Sequence, residues 1–364
     1  MPISIEIPTV SFSEASDLLT IAMSANTPVL LLGDPGIGKS ALAQLVAQRI
    51  SKPLVTLLGS TMDPTDVAGI PFLRMDGKAV DRFPLEAIRQ ACEAPCVLFL
   101  DEISCAPPAV QAALLRLILE RKAGDATLHE GTRVMAAANP PEQAPAGFEL
   151  SAPLMGRVCA VKLRPKMEEV LDFFASVGVE GSKLRQHCED FALTCAAQPD
   201  LLQIDIPADC VTGNAPWGAP RSWERALRSQ AQADEMGMLT TAADACAALM
   251  DGSVGKRQST AYRAILKLRK NLPTVEEICK SPETARMPED SKEQISVIGL
   301  IGHVANVNTW AACLYIARLP RPEYRQACMK ILQRRTPSPM TAAHATKGVN
   351  ARVKLIADMP RLSR

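Results

Sequence analysis

Residues 28–40 constrain the chain most. Pro28-Val29-Leu30-Leu31-Leu32 is wholly apolar and runs into Gly33-Asp34-Pro35-Gly36-Ile37-Gly38-Lys39-Ser40. A short apolar run of this kind suits a strand buried on both faces, as in a parallel sheet. From Ser40 to Ile50, the residues Leu42, Leu45, Val46 and Ile50 recur at helical spacing. Strand, GxxxxGK[ST], helix is the setting of a phosphate-binding loop. Glycines let backbone N–H groups approach and surround phosphate oxygens, which a Cβ would obstruct. The helix that begins near Lys39 points its positive end at the same anion. The Lys39 ammonium is expected to neutralise β and γ phosphates, and the Ser40 hydroxyl to be a magnesium ligand. The nucleotide-contacting set expected here is Gly33, Asp34, Pro35, Gly36, Ile37, Gly38, Lys39, Ser40 and Ala41.

Four further apolar runs read as buried strands: Leu54 to Leu58, Cys96 to Leu100, Val134 to Ala138 and Val158 to Leu163. Helical patterns lie between them. The clearest is Pro108 to Arg121, with Val110, Leu114, Leu117 and Ile118 on one face and Pro107-Pro108 at its start. Five buried strands with crossover helices predict an α/β domain around a parallel sheet. Phe72 to Val80 carries Asp76-Gly77 at its centre, a favoured two-residue turn, and predicts a small β-hairpin near 70–82. After Arg164-Pro165 the strand patterns nearly stop. Lys166 to Leu272 reads as mainly helical, broken by a polar, proline-containing stretch near Pro207 to Pro220, Glu276 to Asp290 as a linker, and roughly Lys292 to Arg335 as a last helical block. The expected division is 1–165, 166–275 and 290–364. From Arg334 to Arg364 there are seven basic residues and one acid, Asp358, which predicts a solvated basic tail.

Apolar residues make up 47% of the 364 and charged residues 22%, which excludes a wholly disordered chain. A net charge of +1 gives the molecule no overall field to gather nucleic acid or acidic lipid. The start shows no basic stretch followed by an apolar one, so no secretory signal is expected. No apolar run approaches the ~18 residues that span a bilayer. The eleven cysteines form no CxxC and sit among apolar neighbours, so they read as reduced thiols of a cytoplasmic protein. The four histidines lie far apart without ligand spacing.

The second chemical element is Cys96-Val97-Leu98-Phe99-Leu100-Asp101-Glu102. An apolar strand ends in two acids at the end where open α/β sheets bind ligands. Asp101 is expected to hold magnesium, and Glu102 to polarise the attacking water as general base. Ala136-Ala137-Ala138-Asn139-Pro140 ends the next strand. Together these resemble the AAA+ ATPases, and the resemblance implies an ATPase with ATP and Mg2+. It implies a P-loop AAA+ parallel five-stranded sheet with flanking helices, an α-helical lid and a C-terminal helical block. Asn139 matches the family's sensor 1, which helps orient the water. Arg157, in Ser151-Ala152-Pro153-Leu154-Met155-Gly156-Arg157-Val158, matches the arginine finger that reaches the γ phosphate of a neighbouring subunit. In Trp217-Gly218-Ala219-Pro220-Arg221, the cation at a helix start suits the lid's sensor 2. Arg221 is the match, and Arg225, one turn on, the alternative.

Asp101 to Leu115 and Asp63 to Gly69 are similar to the corresponding segments of the MoxR-like branch. That branch implies a homo-oligomeric ring, a hexamer, whose hairpin faces the central region. It also implies a chaperone-like action on a protein client, with a von Willebrand factor A domain protein as partner. Two other readings stay open. One is a nucleic-acid-stimulated motor, although the hairpin offers only Arg74 and Lys78 against Asp76. The other is an ATP-dependent scaffold or switch.

Overall fold

The computed structural model describes residues 7–140, 148–208, 210, 215–269, 272–289, 293, 297, 300–302, 304, 305 and 307–335. The described residues form two compact units. One runs up to Glu169 and takes in the described part of Ile204–Thr212; the other holds Val170–Gln203 and the described residues beyond 212.

The first unit runs β1 (Thr9–Val10), α1 (Phe12–Ser24), β2 (Val29–Leu32), α2 (Lys39–Arg49), β3 (Leu54–Leu58), α3 (Pro64–Ala68), β4 (Ile70–Leu73), β5 (Val80–Phe83) and α4 (Glu86–Glu93). It continues with β6 (Val97–Asp101), α5 (Pro108–Glu120), β7 (Lys122–Ala123), β8 (Ala126–Thr127), β9 (Arg133–Ala138), α6 (Ala152–Met155) and β10 (Cys159–Leu163). The main sheet has the order β1-β10-β2-β9-β6-β3, and all its pairs are parallel. All five expected strands are in it. The sixth, β1, is a two-residue edge strand too short to give a periodic signal.

Alternate residues of each central strand face opposite layers. Leu30, Leu98, Leu100, Val134 and Ala136 pack with Ile88, Val110, Leu114 and Leu117 of α4 and α5. On the other face Val29, Leu31, Val97, Phe99, Met135 and Ala137 pack with Leu19, Leu42 and Val46 of α1 and α2. Helices on both faces explain why these strands are apolar throughout rather than alternating. Phe99 has no exposed surface, and burying such a side chain contributes roughly 1.5–3 kcal/mol.

β4 and β5 form the expected hairpin, with Ile70 opposite Phe83 and Leu73 opposite Val80. Its connection is longer than expected. Residues 74–79 join the strands, Gly77 N–H bonds Arg74 O at 2.9 Å, and Arg74 N–H bonds Ala79 O at 2.8 Å. Asp76-Gly77 ends a tight turn inside a wider loop, with Gly77 at φ 66°. A two-residue connection does occur at Gly124-Asp125, joining β7 to β8. It follows α5 directly, and its strands are too short for a sequence pattern.

The second unit starts in α7 (Met167–Ser176), whose first turn still belongs to the first unit. It continues through α8 (Lys183–Ala197), α9 (Pro220–Glu235), α10 (Met238–Thr241), α11 (Ala243–Val254) and α12 (Lys256–Arg269). Phe174, Phe191, Trp223 and Tyr262 meet in its interior, with Phe191 and Trp223 ring centroids 4.3 Å apart. The start of the expected linker is helical. Thr274 and Glu277 form a capping box that starts α13 (Val275–Lys280). Ile278 is fully buried with Ile301, Ile316 and Leu332, and the last two lie on α14 (Thr309–Arg318) and α15 (Pro322–Arg335). The Pro, Glu, Lys and Ser content suggested a solvated connection, but Ile278 is buried in this cluster and Val275, Cys279, Ala285 and Met287 pack against it. Of the basic tail, all but Arg334 and Arg335 lies outside the described residues.

All eleven cysteines are free. Burial pushes the Cys188 and Cys313 thiols up to about 11, which leaves little thiolate to oxidise. Among the described residues no helix is long and apolar enough to cross a membrane.

Candidate nucleotide site at the strand ends

The C-terminal ends of β2, β6 and β9 gather the chemistry. After Leu32 the chain makes two bends in which Gly36 (φ 83°) and Gly38 (φ 102°) adopt left-handed backbone, which glycine enters without strain. A Cβ on Gly33 would come within 2.6 Å of Ile37 Cδ1 and 3.0 Å of Leu163 O. A larger residue there would have to displace the Ile37 side chain and crowd the Leu163 carbonyl. Gly38 caps α2, so the first N–H groups of that helix and its positive end face the loop.

Lys39 is buried, at 7% exposure. A buried ammonium needs oxygen partners. Its Nζ donates to Gly33 O (2.5 Å), Asp34 O (3.0 Å) and Asn139 Oδ1 (2.7 Å). The Ser40 hydroxyl donates to Asp101 Oδ2 at 2.9 Å. Loop, acid strand and Asn139 therefore meet at one place. Ser40 and Asp101 offer two hard oxygen donors side by side. That suits a small divalent cation such as magnesium, which takes one or two protein oxygens and keeps several waters. Among the described residues no cluster of three or more His, Cys, Asp or Glu would cage a metal.

Glu102 follows Asp101 in left-handed backbone, φ 55°, an unusual conformation for a residue with a side chain. The bend turns its carboxylate toward the loop after β3, where the Ser60 hydroxyl donates to Oε2 at 2.9 Å. Gly59 lets the two loops approach: a Cβ there would meet Glu102 O at 3.1 Å and Asp101 O at 3.2 Å. Ser104, 4% exposed, accepts the Asn139 N–H on its Oγ at 3.2 Å. Ser60 and Ser104 were not among the residues expected from the sequence. Each acts across a loop on a partner more than 30 positions away, which no local pattern signals.

The Asp34 side chain faces a different way. It is 8% exposed, and its Oδ2 accepts the Ile206 N–H at 3.3 Å. Arg157 follows α6 on the surface, exposed, and one guanidinium nitrogen bonds Pro153 O at 3.1 Å. Arg221 is exposed in the first turn of α9, next to Pro220 at its first position, and Arg225 is exposed one turn on. Both belong to the second unit.

Residues 28–158 match the AAA domain of the dynein-related subfamily. Over 105 residues the chain is 37% identical to Protein MoxR of Methylorubrum extorquens, a stretch covering 29% of this chain and 30% of that protein. Over 148 residues it is 32% identical to the Nif-specific regulatory protein of Rhodobacter capsulatus, covering 38% of this chain and 26% of that protein. The chain thus spans less than a third of the length of these relatives. Among solved structures, the Thermotoga maritima RuvB Holliday junction branch migration motor aligns with 82% of this chain and 69% of its own, at 16% identity and a TM-score of 0.33. Residues 28–158 are thus an AAA domain of the dynein-related subfamily, and the stretch shared with MoxR makes that domain similar to the MoxR-like type.

Proposed function

We propose that this protein binds and hydrolyses MgATP at the strand ends and works as a homo-oligomeric ring, a hexamer. The observation that carries this reading is the convergence of Lys39, Ser40, Asp101 and Asn139 beside a glycine loop at a helix start. Gly33 to Ala41 supply backbone N–H groups and a positive helix end to the phosphates. The Lys39 ammonium offsets charge on the β and γ phosphates. Ser40 and Asp101 hold Mg2+, which neutralises charge on the same oxygens when bound. Glu102 accepts a proton from the attacking water, and Asn139 orients that water. Arg157, exposed and bonded to Pro153 O, reaches the site of the neighbouring copy. Arg221 serves the site from the lid.

In this reading residues 1–165 are the nucleotide-binding domain, 166–275 the lid, and 290–364 an extension that docks or braces. Hydrolysis moves the lid relative to the sheet domain and passes force to a protein client, with a von Willebrand factor A domain protein as partner. Eleven free thiols suit the cytoplasm. The test pairs calorimetry with phosphate release. Wild-type protein with magnesium is expected to bind ATP and release phosphate. Glu102→Gln is expected to bind ATP with turnover lowered about 10²–10⁴-fold. Absence of adenine-nucleotide binding under assembling conditions would sink the reading.

A further inference from the structure

Helix α1 begins where its first N–H groups need acceptors from outside the helix. Its own sequence supplies two. Ser11 Oγ accepts the Glu14 N–H at 3.4 Å, and the Glu14 carboxylate accepts the Ser11 N–H at 2.8 Å. Phe12 and Ser13 lie between them, and Glu169 takes both. Its carboxylate accepts the Phe12 N–H at 3.0 Å and the Ser13 N–H at 2.9 Å. It also accepts the Ser13 hydroxyl at 2.7 Å and the Lys166 N–H, at the start of its own helix, at 2.9 Å. One carboxylate closes two helix starts. Burial alone would raise its pKa, but donation from Ser13, Lys166 and Phe12 outweighs that and holds it at about 2. The charge is therefore in place at neutral pH.

What Glu169 holds in position is Phe12. The edge of the Phe12 ring would lie 3.3 Å from a Cβ on Gly38. Gly38 is the left-handed bend directly before Lys39. The Phe12 ring, in the first turn of α1, thus lies alongside the last bend of the phosphate loop. We infer that Glu169 is a positioning residue for the phosphate-binding loop, acting through Phe12 on the Gly38–Lys39 bend. It ties the start of α7, the helix that leads out of the sheet domain, to the loop that grips phosphate. The inference rests on the nucleotide-binding reading above and adds a residue that no motif includes.

A purely structural carboxylate would lower stability when removed and leave nucleotide affinity alone. A double-mutant cycle separates the two. ADP affinity is measured by calorimetry on full-length wild type, Glu169→Gln, Phe12→Leu and the double variant, each well below its melting temperature. Both single variants are expected to bind ADP about tenfold more weakly. The double variant is expected to be no weaker than either, because both changes cut one link. Ser13→Ala removes a single donor and is the gentler variant should Glu169→Gln not fold; a loss of about two- to threefold is expected. Wild-type binding with unchanged affinity in Glu169→Gln or Ser13→Ala, or losses that multiply in the double variant, would overturn the inference alone. Failure of the wild type to bind ADP would overturn the nucleotide reading with it.

Discussion

Lys39 ends against two carbonyls of its own loop and the side-chain oxygen of Asn139, 100 positions on. The buried Lys39 ammonium and the polar group of the neighbouring strand are thereby parts of one hydrogen-bonded unit. Anything that displaces Asn139 displaces a partner of Lys39. Ser104 is the residue placed to do so. Its buried hydroxyl accepts the Asn139 N–H, and its own carbonyl accepts the Phe148 N–H at 2.7 Å. Ser104→Ala leaves a backbone donor unsatisfied, at a cost of about 1–3 kcal/mol. The expected outcome is a fall in kcat of about tenfold or more, with KM for ATP nearly unchanged and recovery in Ser104→Thr. Steady-state kinetics on the three proteins checks this; an equal rise in KM would contradict it. At this scale the sequence was readable where chemistry is local. GxxxxGK[ST] and the Asp-Glu pair are contiguous, so Lys39, Ser40 and Asp101 stood out. Ser60 and Ser104 did not, because a serine carries no mark of the distant group it bonds.

Elements were legible where burial imposed a period. The five central strands and α5 follow from runs that only a two-faced core can accommodate. Elements whose sequence is polar or too short to show a period were not. Helix α13 was hidden by its polar composition, although Thr274 and Glu277 stand at the spacing of a capping box. The β4–β5 hairpin is exposed along its length, including Phe72, Leu73 and Met75, so its own burial does not hold it in place. Asp125, in the turn of the small β7–β8 hairpin, accepts the Arg82 N–H at 2.8 Å, and a Cβ on Gly124 would meet Ala68 O at 2.8 Å. The two hairpins are therefore braced together. Asp125→Ala is expected to speed amide exchange across 80–83 while leaving ADP affinity unchanged, and exchange mass spectrometry reads both sites at once. The junction of α1 and α7 predicts a pH effect. The Glu169 pKa is depressed from 4.5 to about 2 on folding. Its contribution is present above the unfolded value and is lost as pH falls from about 4.5 towards 2. In Glu169→Gln the fall in melting temperature across that window is expected to be shallower than in wild type, as thermal unfolding at stepped pH will register.

At the scale of the whole molecule, composition divides the chain into a strand-rich and a helical part but does not show that the chain comes back. Ile204 packs with the sheet unit's core on the α1 and α2 side, Asp205 pairs with Arg164 at 2.5 Å, and Ile206 N–H bonds Asp34 of the phosphate loop. Three adjacent residues rejoin the first unit by three unrelated contacts, and no period could announce them. The proposed ring is a further step. Arg157 is exposed beside β10, on the unit that carries the phosphate loop, and its guanidinium bonds a backbone carbonyl four residues back. A finger that serves the next copy requires a head-to-tail interface, which closes into a ring. That arrangement has a consequence a self-contained site does not share. On the proposed reading, Lys39→Ala would spoil the nucleotide-gripping half of a site, and Arg157→Ala would spoil the half lent to a neighbour. Each variant alone is expected to be nearly inactive. Mixed in equal parts under exchange, about a quarter of the interfaces would pair an intact Lys39 with an intact Arg157, and turnover should rise toward that fraction of wild type if the sites act independently. Phosphate release from the mixture, followed against the summed rates of the separate proteins, decides the matter. A mixture no faster than that sum would place Arg157 in its own subunit's site or outside the chemistry, and would remove the ground for a site shared between copies.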